Sequence, residues 1–302
     1  MLRGNRIPPR GRGRFPQGQL AWDRADGVII SSPRRVEVSN LPTQPRGSYL
    51  FVDGGYLRRV IEDFGRRVYK RRLFPEIQEV AKQFAAEKTF YYDCSDKTGE
   101  VESFLEEVQQ LDNCHVRQGV LSGNTQRQKQ VDVHLAVEAL MFAMRGVSKE
   151  VTLVAGDRDF VPLVDALVSL GASVNVVAHL PSCSIELGNA ADRHTPLRIP
   201  EINGWYKRAL KMDGIEPVHA ALSPKPCDDG DLLGQGALGE RQVLLHDCGG
   251  TYELCVAAGA KQWLRVRSAE RWVVEGAAGF EFGGRVRWDQ APRPRRALGD
   301  TR

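Results

Sequence analysis

The sequence predicts an α/β protein in which a doubly wound parallel sheet, with helices on both faces, is followed by a small C-terminal all-β module. Two patterns carry this prediction. From about residue 48 to about residue 200, short apolar runs alternate with segments of helical periodicity, and strands that alternate with helices indicate a parallel sheet. Beyond residue 236, short β-like runs follow one another, separated by glycine-rich turns.

The elements follow one another in a regular order. From apolar and β-branched composition, strands of the parallel sheet are predicted at 49–52, 89–92, 115–121, 151–155 and 173–178. From apolar residues at helical spacing, helices are predicted at 56–64, 75–87, 100–111, 132–144 and 160–170. In the C-terminal module, the predicted strands are 242–245, 251–256, 262–266, 271–274 and 285–288.

Composition divides the chain into five parts. Residues 1–46 are rich in Arg, Pro and Gly and contain little that could form a core, so we interpret them as a disordered arm. An RNA-tethering arm, a solvated tail and a start codon assigned too far upstream are all consistent with this composition. The other parts are the α/β domain at 47–210, a linker at 211–236, the β module at 237–290 and a tail at 291–302.

The net charge of +4 is unevenly distributed. Residues 1–46 contain nine arginines against Asp23, Asp26 and Glu37, a net of +6, which leaves −2 for the rest of the chain. A domain with this balance is not a uniformly basic nucleic-acid binder, so any contact with a phosphate backbone has to be local.

The sequence predicts a cytoplasmic protein that does not associate with membranes. No apolar run approaches the roughly 18 residues of a membrane span, and the N-terminus lacks the apolar segment of a secretory signal. The six cysteines have no framework spacing, which is typical of reduced, buried thiols. His246, Cys248 and Cys255, with Cys227 further off, could form a zinc site in the β module, although their spacing matches no familiar zinc finger.

Four aspartates stand where strands of the parallel sheet end or where the next helix begins. Asp53 follows the first strand, Asp157 and Asp159 follow the fourth, and Asp132 opens the fourth helix. Each could serve on its own as a helix cap or a turn residue. Together they would meet in the crevice outside the carboxyl ends of the strands, where open α/β sheets bind ligands. Carboxylates gathered there repel one another unless a cation lies between them. The pattern therefore predicts a divalent-metal site, and such metals catalyse phosphodiester cleavage.

The motifs around these aspartates resemble those of the NYN domain family of PIN-like nucleases. The matching segments, in chain order, are Val52-Asp53-Gly54-Gly55, Lys129-Gln130-Val131-Asp132-Val133-His134-Leu135-Ala136, Ala155-Gly156-Asp157-Arg158-Asp159-Phe160 and Ala190-Ala191-Asp192-Arg193. The resemblance covers about residues 48–200 and implies a PIN-like fold. It also implies that Asp53, Asp132, Asp157 and Asp159 form a catalytic cluster that binds Mg²⁺ or Mn²⁺ to cleave RNA, with Asp192 as a candidate outer member.

Basic and hydroxyl side chains near the aspartates are candidates for substrate binding. The segment 58–72 holds seven Arg and Lys residues against two acids, which indicates either a ridge that contacts the RNA backbone or a solvated helix face. The residues from which we expect substrate contacts are Tyr56, Arg58, Arg59, Lys129 and Arg158. Tyr56 stands where NYN proteins usually carry an asparagine, so its hydroxyl would have to replace an amide that orients the scissile phosphate.

Two hypotheses from different classes follow. The first is a Mg²⁺- or Mn²⁺-dependent endoribonuclease that hydrolyses single-stranded or structured RNA and needs no protein nucleophile. The second is a catalytically impaired PIN-like module that acts as an RNA-binding or protein-interaction scaffold, which Tyr56 and the appended β module favour. A homodimer is compatible with either hypothesis.

Overall fold

A computed structural model describes residues 47–94, 99–121, 128–129, 131–206, 214–227 and 230–293 of the chain. All of these residues belong to one compact unit. The predicted arm at 1–46 and residues 294–302 of the predicted tail lie outside the described residues. Within the described ranges, no helix is long and apolar enough to cross a lipid bilayer.

A parallel sheet forms the centre of the N-terminal part. Its region contains the strands β1 (Ser48–Asp53), β2 (Lys88–Asp93), β3 (Cys114–Gln118), β4 (Val120–Leu121), β5 (Gln128–Lys129), β6 (Glu150–Val154), β7 (Ser173–Ala178) and β8 (Arg193–Pro196). Six of them form a wholly parallel sheet in the order β3-β2-β1-β6-β7-β8, while β4 and β5 pair with each other antiparallel. The predicted doubly wound sheet is confirmed. Its strand order reverses between β1 and β6, which makes their carboxyl ends the switch point at which such sheets bind ligands.

Helices cover both faces of this sheet. They are α1 (Gly54–Phe64), α2 (Ile77–Gln83), α3 (Glu100–Gln109), α4 (Val131–Met144), α5 (Val161–Ser169), α6 (Ile185–Ala190) and α7 (Ile199–Ile202), and α1 continues into a π-helical turn at Gly65–Tyr69. Neighbouring residues of a strand point to opposite faces, so Phe90 and Tyr91 of β2 face different helical layers. Phe90 packs against Phe142 of α4 with ring centroids 5.0 Å apart, and Tyr91 packs against Phe104 of α3 at 5.8 Å.

The C-terminal part is built on an antiparallel sheet. It contains β9 (His219–Ser223), β10 (Asp231–Leu238), β11 (Arg241–Asp247), β12 (Tyr252–Gly259), β13 (Gln262–Ser268), α8 (Arg271–Phe282) and β14 (Arg287–Trp288). The strands are arranged in the order β14-β10-β11-β12-β13-β9. The prediction of a second, antiparallel sheet is confirmed, and α8 is an addition to it.

Two differences from the sequence-based expectation concern this second sheet. The strand predicted at 271–274 is wrong because these residues begin α8, whose buried positions 273, 274, 277 and 278 recur at helical spacing. The sheet also begins before residue 237, since β9 and most of β10 lie in the segment 211–236 that we interpreted as a linker. All residues of β9 are at least partly exposed, so its sequence lacks the buried apolar positions on which strand prediction depends.

Helix α8 joins the second sheet to the parallel-sheet part. Phe280 of α8 packs edge-on against Phe64 of α1, with ring centroids 4.9 Å apart. A Cβ atom at Gly276 would lie 2.2 Å from the carbonyl oxygen of Arg67 in the π-helical turn. A larger residue at this crossing would force the two helices apart, so the close packing depends on glycine.

Candidate active site

Asp53 ends β1 and is 5% exposed. Its Oδ1 accepts a hydrogen bond of 2.9 Å from the backbone N–H of Tyr56, so the same side chain caps α1. Burial raises the pKa of Asp53 to about 7 despite this hydrogen bond, and the negative charge of Asp132 raises it as well. The first position of α1 needs glycine, because a Cβ atom on Gly54 would lie 2.4 Å from the ring of Tyr91.

Asp132 lies in the first turn of α4, as the sequence predicts. The residue is exposed, yet partial desolvation of its carboxyl group raises its pKa. The negative charges of Asp157 and Asp159 raise the pKa of Asp132 further. Since α4 and the loop after β6 are distant in sequence, this interaction places the three acids in one neighbourhood.

Asp157 and Asp159 lie in the loop that follows β6, and both are exposed. The carboxylate of Asp157 accepts a hydrogen bond of 3.0 Å from the backbone N–H of Asp159, which caps a short 3₁₀ turn at Arg158–Phe160. The loop approaches α1 closely, because a Cβ atom on Gly156 would lie 2.4 Å from the ring of Tyr56. The ends of β1 and β6 are thereby held together.

The four predicted aspartates therefore share the carboxyl edge of the sheet, but they are not drawn tightly together. Among the described residues, none of the four forms an ion pair with a lysine or arginine. In the same part of the chain, no three of these carboxylates bring one oxygen each within 4.8 Å of one another. Their mutual repulsion is offset in part by the nearby positive charge of Arg59, and the arrangement fits an open site for a cation that would pull the oxygens closer.

Asp192 lies elsewhere, and its prediction as an outer member of the cluster is wrong. It precedes β8, and its Oδ2 accepts a hydrogen bond of 2.8 Å from the backbone N–H of Val174 near the start of β7. The strands are parallel, so Asp192 lies at the amino edge of the sheet, opposite the other four aspartates. The edge to which a residue next to a strand belongs depends on whether it precedes or follows that strand.

Comparison with known protein families agrees with this arrangement. The family model described as the NYN domain matches residues 48–198, half of the chain. This chain belongs to the NYN domain family. Its six-stranded parallel sheet with flanking helices is consistent with the PIN-like nuclease fold of that family.

Comparison with individual proteins adds little to the family assignment. A protein of unknown function from Vibrio parahaemolyticus shares 15% sequence identity with this chain, with a TM-score of 0.42. The match covers 54% of this chain and 99% of that one. Comparison with curated proteins finds no match.

In this NYN domain the hydroxyl of Tyr56 connects α1 to the loop that follows β7. This hydroxyl accepts a hydrogen bond of 2.9 Å from the backbone N–H of His179 and lies 3.2 Å from Oγ of Ser182. Because Ser182 donates to the carbonyl oxygen of His179, Tyr56 is the donor in its contact with Ser182. Burial raises the pKa of Tyr56 to about 12, so the hydroxyl stays protonated. Tyr56, which stands in place of the usual asparagine, therefore uses its hydroxyl for hydrogen bonds to His179 and Ser182 and does not offer it to the acidic site.

Arg58, expected to bind substrate, has a different partner. Its guanidinium binds the fully buried carboxylate of Asp93 through two hydrogen bonds of 3.1 Å, and Glu62 lies 3.5 Å away. Asp93 ends β2 in the way that Asp53 ends β1, and its negative charge also raises the pKa of Asp53. We did not single out Asp93 from the sequence, although its position after a predicted strand was the available signal.

Arg59 differs from its neighbours in the basic segment 58–72. The others have partners: Arg66 and Arg72 pair with Glu62, Arg67 with Asp63, Lys70 with a backbone carbonyl, and Arg71 has an interaction of its own. Arg59 is exposed, and the described residues offer it neither an ion pair nor a hydrogen bond. Its positive charge lowers the pKa of both Asp53 and Asp132, which places it beside the acidic site.

The remaining two candidates are placed less directly. Arg158 lies between two of the acidic residues in sequence, but its guanidinium is 3.7 Å from Glu186 of α6 on the exposed side of the loop. Lys129 ends β5, and its side chain lies outside what the structure describes. Both stay predictions as substrate contacts.

A cavity of about 500 Å³ lies next to Arg59, between the NYN domain and α8. Its lining includes Arg59 and Arg67 together with Tyr56, His179 and Phe280. The ring of His179 stacks on that of Phe280 with centroids 4.1 Å apart. The C-terminal part of the chain thus forms one wall of the space beside the acidic site.

Proposed function

We propose that this NYN protein is a metal-dependent endoribonuclease whose cation, Mg²⁺ or Mn²⁺, is held by Asp53, Asp132, Asp157 and Asp159. One observation carries the proposal. Four carboxylates that form no ion pair among the described residues lie at the carboxyl edge of a parallel sheet, near its switch point. Beyond the effect of desolvation, the charge of Asp132 raises the pKa of Asp53, and the charges of Asp157 and Asp159 raise that of Asp132. The NYN family assignment supports nuclease chemistry at that place.

The donor set fits a hard divalent cation. All four candidate ligands are carboxylates, and Mg²⁺ and Mn²⁺ prefer oxygen ligands. The pKa values of Asp53 and Asp132 are raised because burial and neighbouring negative charge disfavour ionisation. A bound cation reverses that penalty, so the site is prepared for one.

The residues of this chain have separate roles in the proposed cleavage of RNA. A divalent cation held there supplies the positive charge that activates water and stabilises the leaving oxygen of an in-line displacement. Asp53, anchored by its hydrogen bond to Tyr56, binds in its ionised form from a fixed position. Among the described residues Arg59 has no ion pair or hydrogen bond, so its guanidinium is available to contact a phosphate of the RNA and to orient it. No protein nucleophile takes part, since water attacks the phosphorus.

Single-stranded RNA is the substrate form that we propose. Of the basic segment 58–72, the charge that remains available at the site within the described residues is that of Arg59. A short contact of this kind suits a flexible strand that bends into the site. Association as a homodimer and a cytoplasmic location stay predictions from the sequence.

A scaffold without catalytic activity is the second candidate function. Two observations favour it: the hydroxyl of Tyr56 is already used by His179 and Ser182, and among the described residues no three of the carboxylates bring one oxygen each within 4.8 Å of one another. Such a module would bind RNA beside Arg59 without cleaving it.

The two functions are separated by incubating the full-length protein with labelled single-stranded RNA in Mg²⁺, in Mn²⁺ and in EDTA. We expect cleavage that requires metal and that falls at least about a hundredfold in Asp157→Asn. Asp192→Asn makes the same change at the opposite edge of the sheet and is expected to cleave like the wild type. Metal-independent cleavage, or full activity of Asp157→Asn, would contradict the proposal. RNA binding without cleavage in either metal would establish the scaffold instead.

A further inference from the structure

Three cysteines and a glutamate meet in the second sheet, outside the acidic site. Sγ of Cys227 lies 3.1 Å from Sγ of Cys248, and one carboxylate oxygen of Glu253 lies within 4.8 Å of both sulfur atoms. Sγ of Cys255 lies 4.0 Å from Oε1 of Glu253 and accepts a hydrogen bond of 3.3 Å from the backbone N–H of Cys227. Three potential ligand atoms therefore lie within 4.8 Å of one another, and Sγ of Cys255 lies beside them, so that ligands from three separate segments come together.

The fold positions these residues by simple means. Glu253 and Cys255 alternate on β12, so both point to the same face of the sheet. Cys248 directly follows β11 and begins a tight turn, in which its backbone N–H donates to the carbonyl oxygen of Thr251 at 2.9 Å. The turn needs the positive φ angles of Gly249 and Gly250, 65° and 93°. The cluster is thus built on a rigid hairpin.

Cys227 and Gly230, which both precede β10, lie against the rest of the cluster. Cys227 is buried, and a Cβ atom on Gly230 would lie 2.7 Å from Sγ of Cys248. This approach leaves no room for a Cβ atom, so position 230 requires glycine.

We propose that Cys227, Cys248 and Glu253 bind Zn²⁺, with Cys255 as the fourth ligand. Thiolate sulfur and carboxylate oxygen are both common zinc ligands, and four of them satisfy the tetrahedral geometry of a structural site. At Zn–S distances of about 2.3 Å, two tetrahedral sulfur ligands lie about 3.8 Å apart. The sulfurs of Cys227 and Cys248 need to separate only slightly, which a rotation of the half-buried Cys248 side chain provides.

The charges around Glu253 support a cation at this place. Glu253 is 1% exposed and is held by two arginines of β13: Arg265 bonds to Oε1, and Nε of Arg267 donates to Oε2 at 2.8 Å. Oε2 accepts from both Nε and Nη2 of Arg267, whereas Oε1 has one arginine donor, Arg265, and keeps a lone pair that a metal can use without either arginine leaving. The two guanidinium charges and the zinc charge together balance three thiolates and one carboxylate. The arginines would then act as outer partners that orient the ligand.

The spacing of the proposed zinc ligands along the sequence does not match a known zinc motif. In zinc fingers, ligands come as close pairs within one short segment. Here Cys227, Cys248 and Cys255 come from the segment before β10, the turn after β11 and the middle of β12. The glutamate also replaces the expected histidine or cysteine, since His246 lies on β11 beside Glu253 and is not a member of the cluster.

The test is metal binding by the full-length chain, reduced and freed of metal with a chelator. Zn²⁺ is titrated in competition with a chromophoric chelator, and Co²⁺ is added separately to record the absorption spectrum. We expect one tightly bound Zn²⁺ per chain and an intense near-ultraviolet thiolate-to-cobalt charge-transfer band. The carboxylates of the nuclease site cannot produce that band, so the zinc proposal and the nuclease proposal can fail separately.

Substitutions then assign the ligands. Cys227→Ser and Cys248→Ser are expected to weaken Zn²⁺ binding at least tenfold and to remove much of the cobalt band. Cys114→Ser, which changes a buried thiol in β3 outside the cluster, is expected to bind like the wild type. The wild-type titration alone decides the matter if a variant fails to fold. Absence of the charge-transfer band in reduced wild-type protein would overturn the proposal, as would a Cys227–Cys248 disulfide whose reduced form takes up no metal.

Discussion

The side chain of His179 joins the carboxyl edge of the parallel sheet to helix α8. Its Nε2 lies 2.9 Å from the carbonyl oxygen of Phe280, and its ring stacks on the Phe280 ring at 4.1 Å. Burial lowers the pKa of His179 to about 4, so the imidazole is neutral in the folded protein at neutral pH. The contact between the NYN domain and the C-terminal part therefore depends on an uncharged histidine.

This neutral histidine predicts a loss of stability in acid. The folded protein binds the proton more weakly than the unfolded chain, whose histidine titrates near 6.5. The contribution of His179 is complete above pH 6.5 and is lost as the pH falls towards 4, by about 2–3 kcal/mol in the free energy of unfolding. Urea unfolding of the wild type and of His179→Gln at pH 7.5 and pH 4.5 measures this difference, in which the other titrating groups cancel.

His134→Gln is the matched control for His179→Gln, because His134 is exposed on α4. The stability gap between the wild type and His179→Gln should narrow on acidification, while the gap for His134→Gln should stay nearly constant. A gap for His179→Gln that does not change with pH would show that the histidine is not held neutral by its burial.

The raised pKa of Asp53 predicts how metal affinity depends on pH. A cation binds the ionised carboxylate, and half of the Asp53 side chains are protonated near pH 7. The affinity for Mn²⁺ should therefore rise about tenfold per pH unit up to about 7 and then level off. Isothermal titration calorimetry between pH 5.5 and pH 8.5 measures this profile.

Asp53→Asn tests the raised pKa of the same carboxyl group through its effect on stability. Asparagine keeps an oxygen that can accept the hydrogen bond from Tyr56 but carries no charge. In the wild type without metal, the raised pKa means that stability is lost as the pH rises from 3.8 through about 7. At pH 8 the variant should be more stable than the metal-free wild type, by on the order of 1–4 kcal/mol, while binding Mn²⁺ weakly. Equal stability of the variant and the metal-free wild type at pH 8 would contradict the raised pKa of Asp53.

Arg58 and Arg59 are neighbours for which we predict opposite effects. Arg58→Ala leaves the fully buried Asp93 without its cationic partner and should lower the free energy of unfolding by about 3–5 kcal/mol. Arg59→Ala should leave stability within about 0.5 kcal/mol of the wild type but weaken RNA binding. In this variant, the slope of log Kd for RNA binding against log salt concentration should become less steep by about 0.7. This is the value for one lost phosphate contact with a single strand.

Urea unfolding and fluorescence anisotropy with a labelled single-stranded RNA measure the two effects. Should Arg59→Ala bind RNA with unchanged affinity and salt dependence, the backbone contact that we assign to Arg59 does not exist. A stable Arg58→Ala variant would mean that the buried carboxyl group of Asp93 does not depend on Arg58 for its stabilisation.

Tyr56→Phe separates a positioning role of the hydroxyl from a chemical one. The substitution removes the hydrogen bonds to His179 and Ser182 and leaves the backbone N–H of His179 without its acceptor. We expect a loss of about 1–3 kcal/mol of stability and cleavage within a few-fold of the wild type. A drop in kcat of a hundredfold or more, with RNA affinity and fold unchanged, would place the Tyr56 hydroxyl in the reaction instead.

Much of the candidate site was accessible from the sequence. The strand and helix alternation between residues 48 and 200 depends on local periodicity, and from it the carboxyl ends of β1 and β6 follow. Asp53 and Asp157 were located because a residue after a parallel strand lies at the ligand-binding edge, and Asp132 because it opens the fourth helix. Asp192, which the family resemblance suggested, precedes its strand and lies at the opposite edge.

The pairing of charges was not accessible in this way. Arg58 and Arg59 are adjacent and identical in type, yet Arg58 meets Asp93 and Arg59 does not. The difference depends on the angle at which α1 crosses β2, which periodicity does not encode. Helix α8 was missed for a related reason, since a window of four apolar and charged residues fits a strand as well as a helix.

The sequence alone determined three features of this NYN domain: the order of its strands and helices, the edge at which its aspartates lie, and the exclusion of a uniformly basic surface. Each of them depends on neighbours along the chain. Tertiary structure decided which arginine stays free, how far apart the carboxylates lie, and that Cys227, Cys248 and Glu253 share one point in space. These features depend on distances between elements that are remote in sequence, and only the packing of the folded chain sets those distances.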